Sequence, residues 1–459
     1  MFDVDLAEIR FGFGRAPGLP APQSVQAMLD PLPQPDVMSA AYPIEPFDVF
    51  RQRMVDLQAQ LKIRRQNRGT AKAEAARKAR NLINKDAREA AAGWMAQSLL
   101  RAAHTPTGFR ERLVWFWADH FSAQGKRGVA RRAAAPYVDD AIRPHIAGRF
   151  SDLLQAAVMH PLMILYLDQD RSMGPASKRA INSGGKFGLN ENLAREVLEL
   201  HSLGVNGPYD QNDVRQLAEL FAGMTVEASS GLKYRKDWAE PGAETVLGAT
   251  YSADPGLAPI RKVLDDLAHH PATAQHIARK LAVHFVSDQP DPALVAHIAA
   301  RFLATDGDLT QIYAALLEHN SAWAHELSNI KPPADFMASA MRALAVDAQR
   351  IQSADEKQLR RGFAGPLNQL GQRWLSPPGP DGWDEADSHW ITPQGLAERV
   401  NWAMAIPQYM RPDLPDPRAF VDTALGRFAS ERTRFAAAAA ERRAEAIGLV
   451  LMSPAFQRR

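Results

Sequence analysis

GGKFGLNENLAREVLELHSLGVNGPYDQNDVRQLAELFAGMT, residues 184–225, is the stretch whose reading decides the fold. Asn190 is a good N-cap, Glu191 sits in the first turn where the helix dipole favours an acid, and Gly204 stands where a C-cap glycine would. The pattern predicts a helix over 190–204 of roughly four turns. At about 100° per residue, Asn192, Glu196, Glu199 and Leu203 share one face, and Arg195 lies close enough to neutralise either acid. His201 falls about 140° from Glu196. A short Gly/Pro connection then leads to a second helix capped near Asp210 or Asn212 and ended by Gly223, antiparallel to the first.

Two readings of this polar cluster compete. In one, Glu196 and Glu199 bind a divalent metal or work as a general acid/base pair, one carboxyl raised by the other's charge. In the other, Arg195 and a base elsewhere pair with them inside a helical bundle, and His201 complements a helix C-terminus.

Working outward, residues 47–103 are almost wholly helix-forming, with Gly69 and Gly93 as the expected interruptions. Between Lys62 and Lys85 nine basic residues face one acid, Glu74. The segment has no interleaved aromatic residue, which favours a solvated helix face over a nucleic-acid or anionic-membrane patch. Thr105-Pro106 is expected to open the next helix, RERLVWFWADHF, in which Leu113, Phe116, Trp117 and His120 form a buried stripe ending in an imidazole. Residues 168–189 read as a long Gly/Ser-rich loop able to wall a cleft. Its GGK lacks the spacing and hydroxyl of a phosphate-binding loop, and the GFG at 12–14 lacks a dinucleotide fingerprint's third glycine. Residues 224–251 alone have β character and predict a hairpin. Beyond Ala258 the chain reads as short helices, one carrying His276, Arg279, Lys280 and His284. WLSPPGPDGWDEADSHW spaces Trp374, Trp383 and Trp390 through an extended loop suited to covering a ligand cleft or anchoring itself on the helical body.

The expected architecture is therefore mainly α: a multi-helix body of one or two packed subdomains with a small β-hairpin insertion. The segments are 1–46 (N-terminal and Pro-rich), 47–223 (helical core with the polar centre), 224–251 (hairpin insertion) and 252–459 (a C-terminal helical part packed on the core). The 459 residues hold 46% hydrophobic residues, enough for a large core, and 54 Lys+Arg against 52 Asp+Glu leave a formal charge of +2. No global field selects nucleic acid. The chain has no cysteine, so disulfides, thiolate metal sites and cysteine nucleophiles are excluded. The N-terminal stretch has no apolar signal-peptide run and no segment is apolar enough to span a membrane, so the expected location is cytoplasmic. Export in company with a signal-bearing partner is the alternative.

GLNENLAREVLELHSLGV followed by YDQNDVRQLAELFAGMT resembles the bacterial family called domain of unknown function 1800. RFGFGRAP, RLVWFWADHF, LYLD before RSMGPAS, AETVLGATY, KLAVHF, NIKPP, HWITPQGLAERVNWA and SPAFQRR extend the likeness along the chain. The resemblance implies a mostly helical protein, often encoded beside an alkaline-phosphatase or sulfatase-like protein with an export signal. Family-like positions are Trp117, His120, Asn190, Glu191, Asn192, Arg195, Glu196, Glu199, His201 and Gly204. Asp119 stands where the family pattern leads one to expect asparagine, and Ala239 where it leads one to expect histidine.

The functional expectation is a metal-dependent enzyme. Glu196 and Glu199 with His120 would hold Fe, Mn, Zn or Mg, with Glu191 and His201 as further ligand candidates. Glu196, Glu199 and Arg195 would carry catalysis, with Asn192, Trp117 and Trp383 on the substrate. The rival expectation is a non-catalytic binding or escort protein for an exported phosphatase- or sulfatase-like partner.

Overall fold

Side-chain oxygens start the helices that frame the molecule. Thr70 Oγ1 accepts the Ala73 N–H at 3.4 Å and opens the helix Ala71–His104, joined to Phe47–Gln66 through a turn in which Gly69 adopts φ +78°. Gly93 does not interrupt it, because one glycine inside 34 helical residues costs only about 1 kcal/mol. Asp210 and Asp213 cap each other's backbone N–H at 3.0 and 3.1 Å and begin Gln211–Phe221. The Gly69 turn and the cap near Asp210 hold as read from the sequence; the interruption expected at Gly93 does not form.

The computed structural model describes residues 1–184 and 187–459. The protein is mainly α-helical. Among the described residues the β-structure amounts to two antiparallel pairs, Met224–Glu227 with Gly231–Tyr234 and Thr245–Val246 with Ala249–Thr250. No helix among them is long and apolar enough to cross a membrane.

Three local readings are corrected. Thr105 Oγ1 accepts the Thr107 N–H at 2.9 Å in a turn, so the next helix starts at Gly108 and runs to His120. Asn190 Oδ1 accepts the Asn192 N–H at 3.0 Å; the α-helix covers only Asn192–Glu196 and widens into a π-turn over Val197–His201. The 168–189 segment contains two short helices, Gln169–Arg171 and Lys178–Asn182, and is tied to the 238–240 segment by Gly174 N–H to Trp238 O at 2.9 Å and Ala176 N–H to Glu240 Oε2 at 2.9 Å. Gly185 and Lys186 of its GGK lie outside the described residues.

Buried side chains fall into two clusters. The first takes residues from Leu6 to Leu327, so the helices from Leu257 to Glu318 share their core with the 47–223 part. The second joins Phe13 and Met95–Ala103 to the helices between Pro333 and Gln457. The Gly108–His120 helix lies between them: Leu113, Phe116 and Trp117 enter the first, while Trp115 packs against the second. Arg112, buried on this helix, donates to Gly12 O and pairs with buried Asp335 at the start of Pro333–Ala343. Arg342, on the same Pro333–Ala343 helix, donates to Gly14, Ala103 and Thr105 carbonyls at 2.7–3.2 Å. Two arginines thus fasten the glycine-rich N-terminal segment across both clusters.

Removing the acid of such a pair strands a buried cation, at a cost of about 3–5 kcal/mol. Asp335→Ala is expected to lower the thermal midpoint by about 5 °C in scanning calorimetry. A midpoint unchanged within about 1 °C contradicts this role for the pair.

Candidate active site

The Gly108–His120 helix ends at a cavity of about 110 Å³. Asp119 and Trp115 come from this helix, Trp374, Trp383, Glu385 and Trp390 from the long loop that closes over it. The loop's backbone is brought down onto the helix end. Trp383 N–H donates to both Asp119 oxygens, at 3.0 and 3.2 Å. Gly382 takes φ +84°, and a Cβ there would sit 2.7 Å from Asp119 O and Oδ2, so only glycine fits. Gln124 Nε2 to Pro377 O at 2.9 Å and Trp390 Nε1 to Asp384 O at 2.9 Å fix the loop elsewhere.

The tryptophans form two pairs, Trp115 edge-to-face with Trp374 at 5.2 Å and Trp383 tilted against Trp390 at 5.9 Å between ring centres. They give the cavity broad apolar faces. Trp374 Nε1 is a buried donor with no partner. At the far end, Arg101 and Arg143 also line the cavity, each already paired with a carboxylate, Asp139 and Glu111.

The two acids of the cavity are driven apart in protonation. Burial pushes the Asp119 carboxyl up to about 7, the Glu385 charge adds to this, and Lys280 and the Trp383 N–H only partly oppose it. Burial acts on Glu385 in the same direction, but His284, Arg459 and Lys280 outweigh it and hold the carboxyl down at about 2. Near neutrality Asp119 still holds a proton in a large share of molecules while Glu385 is ionised. Such a divergence marks an acid/base assignment.

Glu385 is held by a buried polar chain. His284 Nδ1 lies 3.0 and 3.2 Å from its oxygens, and Arg459 Nη1 lies 3.2 Å from His284 Nε2. A guanidinium only donates, so Nε2 is the bare nitrogen and Nδ1 carries the hydrogen given to Glu385. Arg459 Nε continues to Asp335 at 3.6 Å, which pairs with Arg112. Both nitrogens of His284 are engaged. It orients Glu385 and keeps it ionised.

Of the residues singled out in the sequence, Trp383 lines this cavity. Trp117 is fully buried and donates to Tyr313 Oη at 2.6 Å, a core hydrogen bond away from the cavity. Arg195 bridges Glu191 at 3.2 Å and Glu199 at 3.3 Å, and Gln211 Nε2 reaches Glu191 at 2.9 Å. Glu196 is raised to about 6 by burial and by the charges of Glu199 and Asp381. Asn192 is exposed.

His120 belongs to a different group. Its ring centre lies 6.2 Å from that of His201 and 6.1 Å from that of His276. His120 Nε2 faces His201 O at 3.4 Å and His276 Nε2 faces Leu200 O at 3.0 Å, so both tautomers are set by carbonyls of the π-turn. Both nitrogens of His201 are buried without a partner. Burial, then Lys280, keeps all three imidazoles neutral, with His201 pushed down to about 3 and His276 to about 4. The structure therefore splits the expected set into a carboxylate group around Arg195 and an imidazole group beside Lys280. Among the described residues no three imidazole or carboxylate side chains are placed to hold a metal ion.

Glu385, His284 and Arg459 were not singled out as site residues from the sequence. One signal was available: His276, Lys280 and His284 recur every four residues on the helix Pro271–Phe285, a polar row beside its buried apolar face. A family model described as "Protein of unknown function (DUF1800)" matches residues 9–458. No curated protein and no solved structure matches the chain.

Asp119 titrates near 7 when folded and near 3.9 when unfolded, so the native state loses stability as pH rises through that window. Asp119→Asn keeps an oxygen for Trp383 N–H and removes the penalty. The variant is expected to melt about 2 °C or more above the native protein at pH 8, the gap narrowing toward pH 5. A variant that melts lower at pH 8 contradicts the raised carboxyl.

Proposed function

The chain belongs to the DUF1800 family, and we propose that it is an enzyme that cleaves a glycosidic bond in a saccharide bound in the tryptophan-lined cavity. What carries this reading is the pairing, on one cavity, of Asp119, whose carboxyl burial pushes up to about 7, with Glu385, which His284 and Arg459 hold down at about 2. Paired carboxyls in opposite protonation states are the minimal equipment for this reaction. Sugar rings present flat C–H faces to indole rings and hydroxyls to buried polar groups, and Trp374 Nε1 is a donor awaiting an acceptor.

Asp119 donates its proton to the departing glycosidic oxygen as the C–O bond breaks. Glu385, with its low basicity, suits the role of the carboxylate that meets the positive charge developing at the anomeric carbon and forms the bond to it. Water then displaces Glu385, delivering its hydroxyl to the carbon and its proton back to Asp119, so atoms and charge balance over the cycle. His284 positions Glu385, and the Trp383 backbone positions Asp119. Asparagine at 119 would offer an N–H donor but no proton to release. The acid role therefore depends on the aspartate this chain carries.

The test is a panel of nitrophenyl and unactivated glycosides, assayed on native protein, Asp119→Asn and Glu385→Gln. On the glycoside that is turned over, Glu385→Gln is expected to lower kcat about 100-fold or more for every leaving group. Asp119→Asn is expected to do so for poor leaving groups and much less for nitrophenolate, which departs without protonation. Equal activity of Asp119→Asn and native protein on a poor leaving group contradicts the acid role. Absence of both turnover and a tryptophan-emission change across the panel contradicts the saccharide.

A further inference from the structure

The helical pair Phe47–Gln66 and Ala71–His104 carries a feature that the cavity does not use. From Arg51 to Asp86 the only buried residue is Ala76, which means that this part of the pair stands out from both cores. Its paired stretch, at 1.5 Å per residue, extends for about 20 Å beyond Asp86. Nine basic residues lie between Lys62 and Lys85, against the single acid Glu74. Glu74 pairs with Arg77 at 2.7 Å and Lys85 reaches Glu89 at 3.6 Å. The other seven have no carboxylate within 4 Å among the described residues. In a chain of net charge +2, this prong concentrates positive charge that the rest of the protein does not neutralise.

Two apolar residues interrupt that charge on the outside. Leu61 is 45% exposed and Leu82 66% exposed. A nucleic-acid backbone has no use for exposed leucines, and the segment has no aromatic residue on which a base could stack. A bilayer surface rewards both features: anionic headgroups attract each nearby Lys or Arg, and leucine side chains enter the headgroup–acyl boundary.

We propose that the 58–86 prong docks this protein on an anionic phospholipid surface as a peripheral contact. Electrostatics supplies most of the attraction, and Leu61 and Leu82 add shallow insertion. The prong lies outside the cavity machinery, so docking and chemistry are separable.

The experiment is co-sedimentation of the full chain with phosphatidylcholine vesicles containing about 30 mol% phosphatidylglycerol, and with phosphatidylcholine alone. Binding is expected to the anionic vesicles only, and to fall about tenfold or more when salt rises from about 0.05 to 0.5 M. The exposed-charge variant with Arg64, Arg65, Arg68 and Lys72 all changed to Gln is expected to lose about tenfold or more in binding while its melting temperature stays within about 2 °C. Leu61→Ser with Leu82→Ser is expected to weaken binding severalfold at every salt concentration. Equal affinity for both vesicle types, or no binding to either, overturns the proposal. So does a duplex DNA that displaces the vesicles while the leucine double variant binds like native protein, an outcome that assigns the prong to nucleic acid.

Discussion

The structure depends on the burial of more charge than an apolar core tolerates unpaired. Arg112, Asp335, Arg459, His284 and Glu385 run as one chain of contacts through the seam between the two clusters of buried side chains. Each charge in this chain is affordable only because its neighbour is present, and removing one member exposes the others to an environment that solvates none of them. Asp335 is held below the usual carboxylate range although burial acts against it, because Arg112 and Arg459 stand beside it. Lys331, in the same region, takes the other course: burial and the charge of Arg112 push its ammonium down to about 7. The seam therefore fixes geometry more than it adds stability. It sets how the second cluster sits on the first, and it delivers Glu385 to the cavity in one orientation and one charge state.

The difference between the two cavity acids follows from that seam. Glu385 is the outermost member of the buried chain and inherits its cations. Asp119, at the C-terminal end of its helix, is met by one backbone N–H, by Lys280 and by the Glu385 charge, and the first two do not offset its burial. Burial alone would raise both. The polar chain reverses the sign for one of them only.

Much of the architecture was legible in the sequence because it is local. The Asp210 capping box, the Gly69 turn and the buried stripe of Leu113, Phe116 and Trp117 all follow from residues within a few positions of one another. The tryptophan loop was legible as an extended segment laid on the helical body, and Trp383 lines the cavity. The 190–204 segment was legible as helix but not as a π-turn, since an i to i+5 pattern has no marker in its own residues and is imposed by what packs against it. Asp119 and Trp383 are 264 positions apart, and Arg459 and His284 are 175 apart. Periodicity carries nothing about such pairings. A reading confined to one helix favoured Glu196 and Glu199, whose spacing was visible, over Asp119 and Glu385, whose proximity exists only in the fold.

The central claim is that the Asp119 carboxyl is pushed up to about 7 on the same cavity as a Glu385 that stays ionised. The direct measurement is carboxyl-carbon NMR on protein with ¹³C-labelled aspartate and glutamate, titrated from about pH 3 to 9, with Asp119→Asn and Glu385→Gln used to assign the two signals. An aspartate carboxyl that titrates near 7 and a glutamate carboxyl still ionised at pH 3 are the expected result. Two signals titrating together near the ordinary value of about 4 would contradict the account, because the cavity would then hold two equivalent carboxylates and no acid.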